Sequence, residues 1–180
     1  KNRRLMVAWR RDVALIEALR CTGSRISEIL GGNIEDLQIR QRALRVTGKG
    51  SRERLVFFDE RGWSALRHYV DARKSLKLVC KGKVTPLFAQ HSRAAGQELL
   101  RLTPRGARLA LWQYVRKSGL QGKITPHRFR ATFATMVLEK TGDLAATQDL
   151  LGHASPATTR IYAKLATTRL RKIHEQVFQA

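Results

Sequence analysis

Acidic residues are scarce in this chain: 14 Asp and Glu stand against 35 Lys and Arg among 180 residues. The few carboxylates are scattered and form no HExxH or DxD pattern, so metal-dependent phosphodiester chemistry would lack its ligands, and neither metal nor cofactor is expected. Cysteine is scarcer still. Cys21 and Cys80 are the only two and form no C-x-x-C pair, which argues against a disulfide framework and a zinc site and makes a reducing cytoplasm the default. No apolar run is long enough to span a bilayer, and no signal peptide is visible. Aromatic residues, at 7%, are not arranged as stacking platforms, which leaves an RNA-binding protein supported by charge alone. Repeats and low-complexity tracts are absent.

What is abundant is positive charge. The formal net charge is +21, and the basic residues run through folded-looking segments instead of a single tail. That favours a charged binding face for a polyanion, with nucleic acid ahead of a membrane surface. The length suits one domain with a proper core, or one large and one very small unit. The chain begins "KNRRLM" without an initiator methionine, so further residues upstream are expected.

Hydrophobic periodicity gives a mainly α reading with one small antiparallel sheet near the start, an α+β domain. "WRRDVALIEALRCTG" reads as a helix with Leu15 and Leu19 one turn apart and Gly23 as its stop. Ser24 then caps a short helix, "RISEIL", with Arg25 in its first turn. "ALRVT" and "RERLVFF" flank "GKGS" as a hairpin, with a looser strand around Leu37 to Ile39 before it. Asp59 caps the next helix, which carries Trp63, Leu66 and Val70 on one face. Residues 74 to 100 are the least readable, partly extended around "TPLF". All four prolines follow Thr or Ser, and at Pro104, Pro126 and Pro156 the pair opens a helical pattern. Asp143 caps "LAATQDLL", stopped by Gly152, and a stripe of Leu170, Ile173 and Val177 marks a C-terminal helix over 166–180.

Three stretches could carry chemistry. "TPHRFRATFAT" puts His127 and Arg130 on one face at a helix start, where free N–H groups already attract an anion. "TGSRISE" repeats the device with Arg25, although a surface Arg25–Glu28 ion pair would be worth little by itself. "VTGKGSRER" holds Lys49 at a hairpin tip, where a lysine is usually just solvated. Further on, "LLGHASPATTRIY" carries His153 after a glycine stop and Tyr162 on the helix that follows.

In this order, Arg25, Lys49, His127, Arg130, His153 and Tyr162 resemble the catalytic set of the tyrosine recombinases, the phage-integrase family. "TGSRISEIL", "HRFRATFAT" and "LLGHASPATTRIY" stand close to three family motifs, and the spacing of the six positions is the usual one. The resemblance runs from about Trp9 to Leu170 and looks nearest to Xer-type and mobile-element integrases of bacteria and phages. Phe129 stands where the family usually has leucine, Ala131 where histidine is common, and Ser24 where an apolar residue is common; none removes a catalytic group.

The resemblance implies a catalytic domain over 1–180 that cleaves and rejoins duplex DNA through a 3′-phosphotyrosine at Tyr162. Arg25 and Arg130 would hold the non-bridging oxygens, and Lys49 would protonate the leaving 5′-oxygen. His127 would act as acid/base partner, and His153 would donate a hydrogen bond to the phosphate. Gly152 would aim His153 back at the corner where Tyr162 acts. It further implies an N-terminal core-binding domain not included here. A tetramer on two duplexes is expected, or a monomer without DNA, with 166–180 exchanged between protomers. Two other readings stay open at this point. A type IB topoisomerase shares fold and nucleophile but usually carries lysine where His127 stands. A non-catalytic DNA-binding domain would account for the charge yet leave six aligned residues unexplained.

Overall fold

A computed structural model of the chain describes residues 2–92, 96–120, 122 and 124–152, with Asn2 and Lys49 described by backbone alone. His153, Tyr162, the helix expected from Pro156 and the C-terminal segment 166–180 lie outside the described residues. Among the described residues, six α-helices and one small sheet follow in the order α1 (Asn2–Thr22), α2 (Ile26–Gly31), β1 (Leu37–Gln38), β2 (Ala43–Thr47), β3 (Glu53–Phe57), α3 (Glu60–Lys74), α4 (Pro104–Lys117), α5 (Pro126–Thr141) and α6 (Leu144–Leu151). The mainly α reading holds, and the sheet is antiparallel with strand order β1-β2-β3.

Helix boundaries follow local chemistry where a cap is present. Asp59, Thr103, Thr125 and Asp143 each accept a backbone N–H from the first turn of α3, α4, α5 and α6, and proline occupies the first turn of α4 and α5. Gly23, at φ +59, ends α1, and Gly152, at φ +63, ends α6. α1 starts at Asn2, not Trp9, so the first helix is longer than its apolar stripe suggests.

One cap differs from the sequence reading. The N-cap of α2 is Arg25, not Ser24. Ser24 is buried and its Oγ has no hydrogen-bond partner among the described residues. The left-handed turn at Gly23 tucks Ser24 inward, and the Glu28 carboxylate takes over the capping work by accepting the Arg25 backbone N–H at 2.8 Å.

The core forms where α1 lays Val7, Leu15 and Leu19 against Trp63, Leu66 and Tyr69 of α3 and against the inward face of the sheet. In β2 and β3 the register pairs Leu44 with Val56 and Val46 with Arg54, so Arg54 lies on the strand face that is buried. Among the described residues of the stretch before α4 there is no named helix or strand, yet Leu87, Phe88 and Ala89 are wholly buried. Its backbone is satisfied piecemeal: Leu87 N–H on Gly32 O, Gln90 N–H on Leu100 O, and Ala89 N–H on the Tyr69 hydroxyl. Arg101 ties this stretch to α2 by donating to the carbonyls of Leu30, Gly31 and Gly32. α5 packs on α1 and α6, which brings the second half of the chain to the α1–α2 turn.

Candidate active site

Four of the six residues singled out from sequence fall within the described part: Arg25, Lys49, His127 and Arg130. Arg130 is buried at 5% exposure, one turn into α5. Its Nη1 donates to Gly23 O at 2.9 Å and its Nη2 to Leu151 O at 2.8 Å. One guanidinium therefore joins the end of α1 to the end of α6. Arg25 follows the first carbonyl by two residues, and His153 follows the second by two. The α5 start is anchored against α1 by a close approach: a Cβ on Gly23 would stand 2.4 Å from the Phe133 ring.

Arg25 is held by different chemistry. Its Nη1 donates to Glu28 Oε1 at 2.8 Å while its backbone N–H donates to Glu28 Oε2 at 2.8 Å. The sequence reading allowed for a surface ion pair here, and the structure corrects it. The Glu28 side chain is 2% exposed, and a second guanidinium, Arg54 Nη2, donates to Oε2 at 2.9 Å. Burial by itself would raise the Glu28 carboxyl pKa; the bonds from Arg54 and Arg25 outweigh it and hold the group below its ordinary 4.5. Glu28 is thus an anion at neutral pH, shared between two arginines, with the Arg25 side chain still 42% exposed.

The hairpin tip carrying Lys49 reaches the same carboxylate. A Cβ at Gly48 would lie 3.4 Å from Glu28 Oε1, and Gly50 takes φ +75 to turn the chain at the tip. On the other side, a Cβ at Gly152 would lie 2.9 Å from Arg54 Cζ and Nε, so that guanidinium packs directly on the last residue of the α6 stop. His127 is exposed in the first turn of α5, where the Thr125 hydroxyl accepts the Arg128 N–H. The structure therefore gathers Arg25, Arg130, the Lys49 backbone and the chain leading to His153 around Gly23, Glu28 and Gly152. His127 stands beside them, three residues from Arg130 on α5.

Glu28 and Arg54 were not among the sequence-derived site residues. A signal existed: strand alternation puts Arg54 on the face of Val56, and a charged residue on an inward face needs a buried partner. Among the described residues no group of three His, Cys, Asp or Glu side chains is placed to hold a metal ion, and no helix is long and apolar enough to cross a membrane.

Two of the three tyrosines are engaged elsewhere. Tyr69 is fully buried, its hydroxyl accepting the Ala89 N–H and lying 3.1 Å from His91 Nε2. Tyr114 donates to Asp12 Oδ2 at 3.2 Å, and burial together with that carboxylate pushes its phenol up to about 12. Neither is suited to nucleophilic attack.

Residues 4–169 match the phage integrase family. The tyrosine recombinase XerC of Thermodesulfovibrio yellowstonii is 36% identical over 92% of this chain and 54% of its own length. The chain spans about half the length of the curated relatives it matches. Among solved structures, the XerA recombinase superposes with a TM-score of 0.76 at 31% identity, covering 98% of this chain and 62% of that one. The XerH site-specific recombinase, bound to a palindromic difH substrate in a post-cleavage complex, gives 0.76 at 26% identity over 94% of this chain and 46% of the other.

Proposed function

Because the chain belongs to the phage integrase family, we propose that it is the catalytic domain of a site-specific DNA recombinase working through a 3′-phosphotyrosine. The observation that carries this reading is the corner itself. Arg130 joins the Gly23 and Leu151 carbonyls, Glu28 holds the exposed Arg25, and the Lys49 hairpin and Gly152 pack on the Glu28–Arg54 pair. By the family resemblance the nucleophile is Tyr162, and the engaged Tyr69 and Tyr114 do not compete for that role.

Arg25 and Arg130 hold the two non-bridging oxygens of the scissile phosphate, where planar donors match phosphate geometry and stabilise the charge of the pentavalent transition state. His127 takes the Tyr162 proton as the phenolic oxygen attacks phosphorus. The bond to the 5′-oxygen breaks, Lys49 supplies the proton to that oxygen, and His153 donates to the phosphate. The phosphotyrosine ester keeps the energy of the broken bond, so rejoining by a free 5′-hydroxyl needs no ATP. Four protomers on two duplexes would exchange strands this way, with 166–180 docking between neighbours and the protein acting on DNA inside the cell. Relatives bound to DNA, such as the XerH complex, support that partner.

A nicked suicide duplex, which loses its short 5′-fragment after cleavage, tests the reading. The expected result is a covalent protein–DNA adduct that disappears in Tyr162→Phe while binding persists, because only a hydroxyl is lost. An adduct surviving in Tyr162→Phe would reject Tyr162 as nucleophile. Relaxation of supercoils by monomers would shift the activity to that of a type IB topoisomerase.

A further inference from the structure

Glu28 poses an electrostatic problem for the function proposed above. A buried carboxylate bonded directly to Arg25 cancels the charge of one of the two groups meant to hold phosphate. Taken as a pair, Arg25 and Glu28 would offer a dianionic transition state no net attraction. Arg54 changes that sum. Its side chain is 16% exposed, its Nη2 bonds Glu28 Oε2 at 2.9 Å, and the three groups together carry one net positive charge. The exposed end of that charge is Arg25, with 42% of its side chain accessible.

Arg54 is also placed to link the parts of the site. It sits on β3, directly after the hairpin tip that carries Lys49, and its guanidinium fills the space above Gly152, the residue before His153. Gly152 is required there twice over, once for φ +63 and once because any Cβ would enter Arg54 at 2.9 Å. The Arg54 Nε is buried with no hydrogen-bond partner among the described residues, a cost the fold accepts to keep the guanidinium in this slot.

We propose that Arg54 is a positioning residue for DNA cleavage: it neutralises Glu28 so that Arg25 keeps its charge for the phosphate. Arg54 itself need not touch DNA. The inference rests on the recombinase reading, and on nothing else about the substrate.

The test is a charge cycle on single-turnover cleavage of the suicide duplex, using Arg54→Met, Arg54→Lys, Glu28→Gln and the double variant Glu28→Gln/Arg54→Met. Arg54→Met should slow adduct formation about 100-fold, the scale of losing one transition-state donor, while affinity for uncleaved duplex changes less than about threefold. Arg54→Lys keeps the charge and should recover most of the rate. The double variant carries no unneutralised carboxylate, so it should fold even if Arg54→Met does not, and should cleave within about fivefold of Glu28→Gln itself. Arg54→Met at the parental rate, a lysine variant as slow as the methionine one, or a hundredfold gap between the double variant and Glu28→Gln would each overturn the proposal. Failure of the unsubstituted protein to form any adduct would instead overturn the recombinase reading, and this inference with it.

Discussion

Arg25 and Arg130 are the same residue brought to one corner by opposite means. Arg130 lies inside the protein and is gripped by two backbone carbonyls, Gly23 O and Leu151 O. Arg25 lies at the surface and is gripped by a buried carboxylate. Carbonyl groups are dipoles: they fix a guanidinium and leave its charge intact. A carboxylate fixes it just as well but takes the charge away, and a third group, Arg54, is then needed to restore it. The first arrangement is also a structural clamp between helices; the second is a local electrostatic balance. Substitutions on the two sides should therefore fail in different ways.

The largest effect is expected at Arg130. Arg130→Ala leaves two buried carbonyls without their charged donor, and each such bond is worth about 1.5 kcal/mol or more, so unfolding in urea should show a loss of about 3 kcal/mol. Cleavage should fall with it, by about a thousandfold or more. A stable but inactive Arg130→Ala would break the comparison, because it would make Arg130 purely catalytic.

Next comes Glu28→Gln, which keeps the shape and removes the charge. A loss of about 2 kcal/mol is expected at neutral pH. Its pH dependence is sharper than its size. The folded Glu28 pKa lies below the ordinary 4.5, so its contribution is present above 4.5 and is lost as pH falls through the lower folded value. His91 acts from a higher pH. Burial, with Arg11, Arg73 and Arg4 nearby, pushes its pKa down to about 3 from 6.5, so its neutral form stabilises the fold above 6.5 and that contribution drains away as pH falls toward 3. Urea midpoints between about pH 7 and about pH 3 should thus fall in both proteins, with Glu28→Gln lacking only the steeper part below 4.5. Identical acid limbs would mean that Glu28 is not ionised in the fold.

Gly152→Ala should cost about 1 to 2 kcal/mol for placing a Cβ at positive φ. It should slow cleavage more than that figure suggests, because the new methyl displaces Arg54. The smallest effects compare two caps. Thr125→Ala and Asp59→Ala each remove an N-cap and should each cost about 1 kcal/mol. Only Thr125 orients a helix start carrying His127 and Arg130, so only that variant should slow cleavage measurably. Equal slowing by both would show that general stability, not the α5 start, controls the rate.

Much of the fold was legible because its signals are local. A threonine before a proline, or an aspartate before an apolar stripe, acts on N–H groups within three residues, so Thr103, Thr125, Asp59 and Asp143 cap their helices as expected. The hairpin around "GKGS" and the glycine stops at Gly23 and Gly152 are equally short-range. Ser24 does not cap α2 because the helix starts one residue later, at Arg25, whose N–H is taken by Glu28, and Glu28 is itself held by Arg54 from another element. The path of Leu87 to Ala89 through the core was unreadable for a related reason: its backbone bonds go to Gly32, Leu100 and Tyr69, and repeat with no period.

Residue types and their order, from Arg25 through Tyr162, were enough to indicate a family, because the order and the local motifs around it match those of one fold that brings such donors together. How each donor keeps its charge was decided only in the tertiary structure. Whether a guanidinium meets a carbonyl or a carboxylate depends on which helix end or strand face arrives beside it, and those arrivals are set by the packing of α1, α2, α5, α6 and the hairpin around a common core.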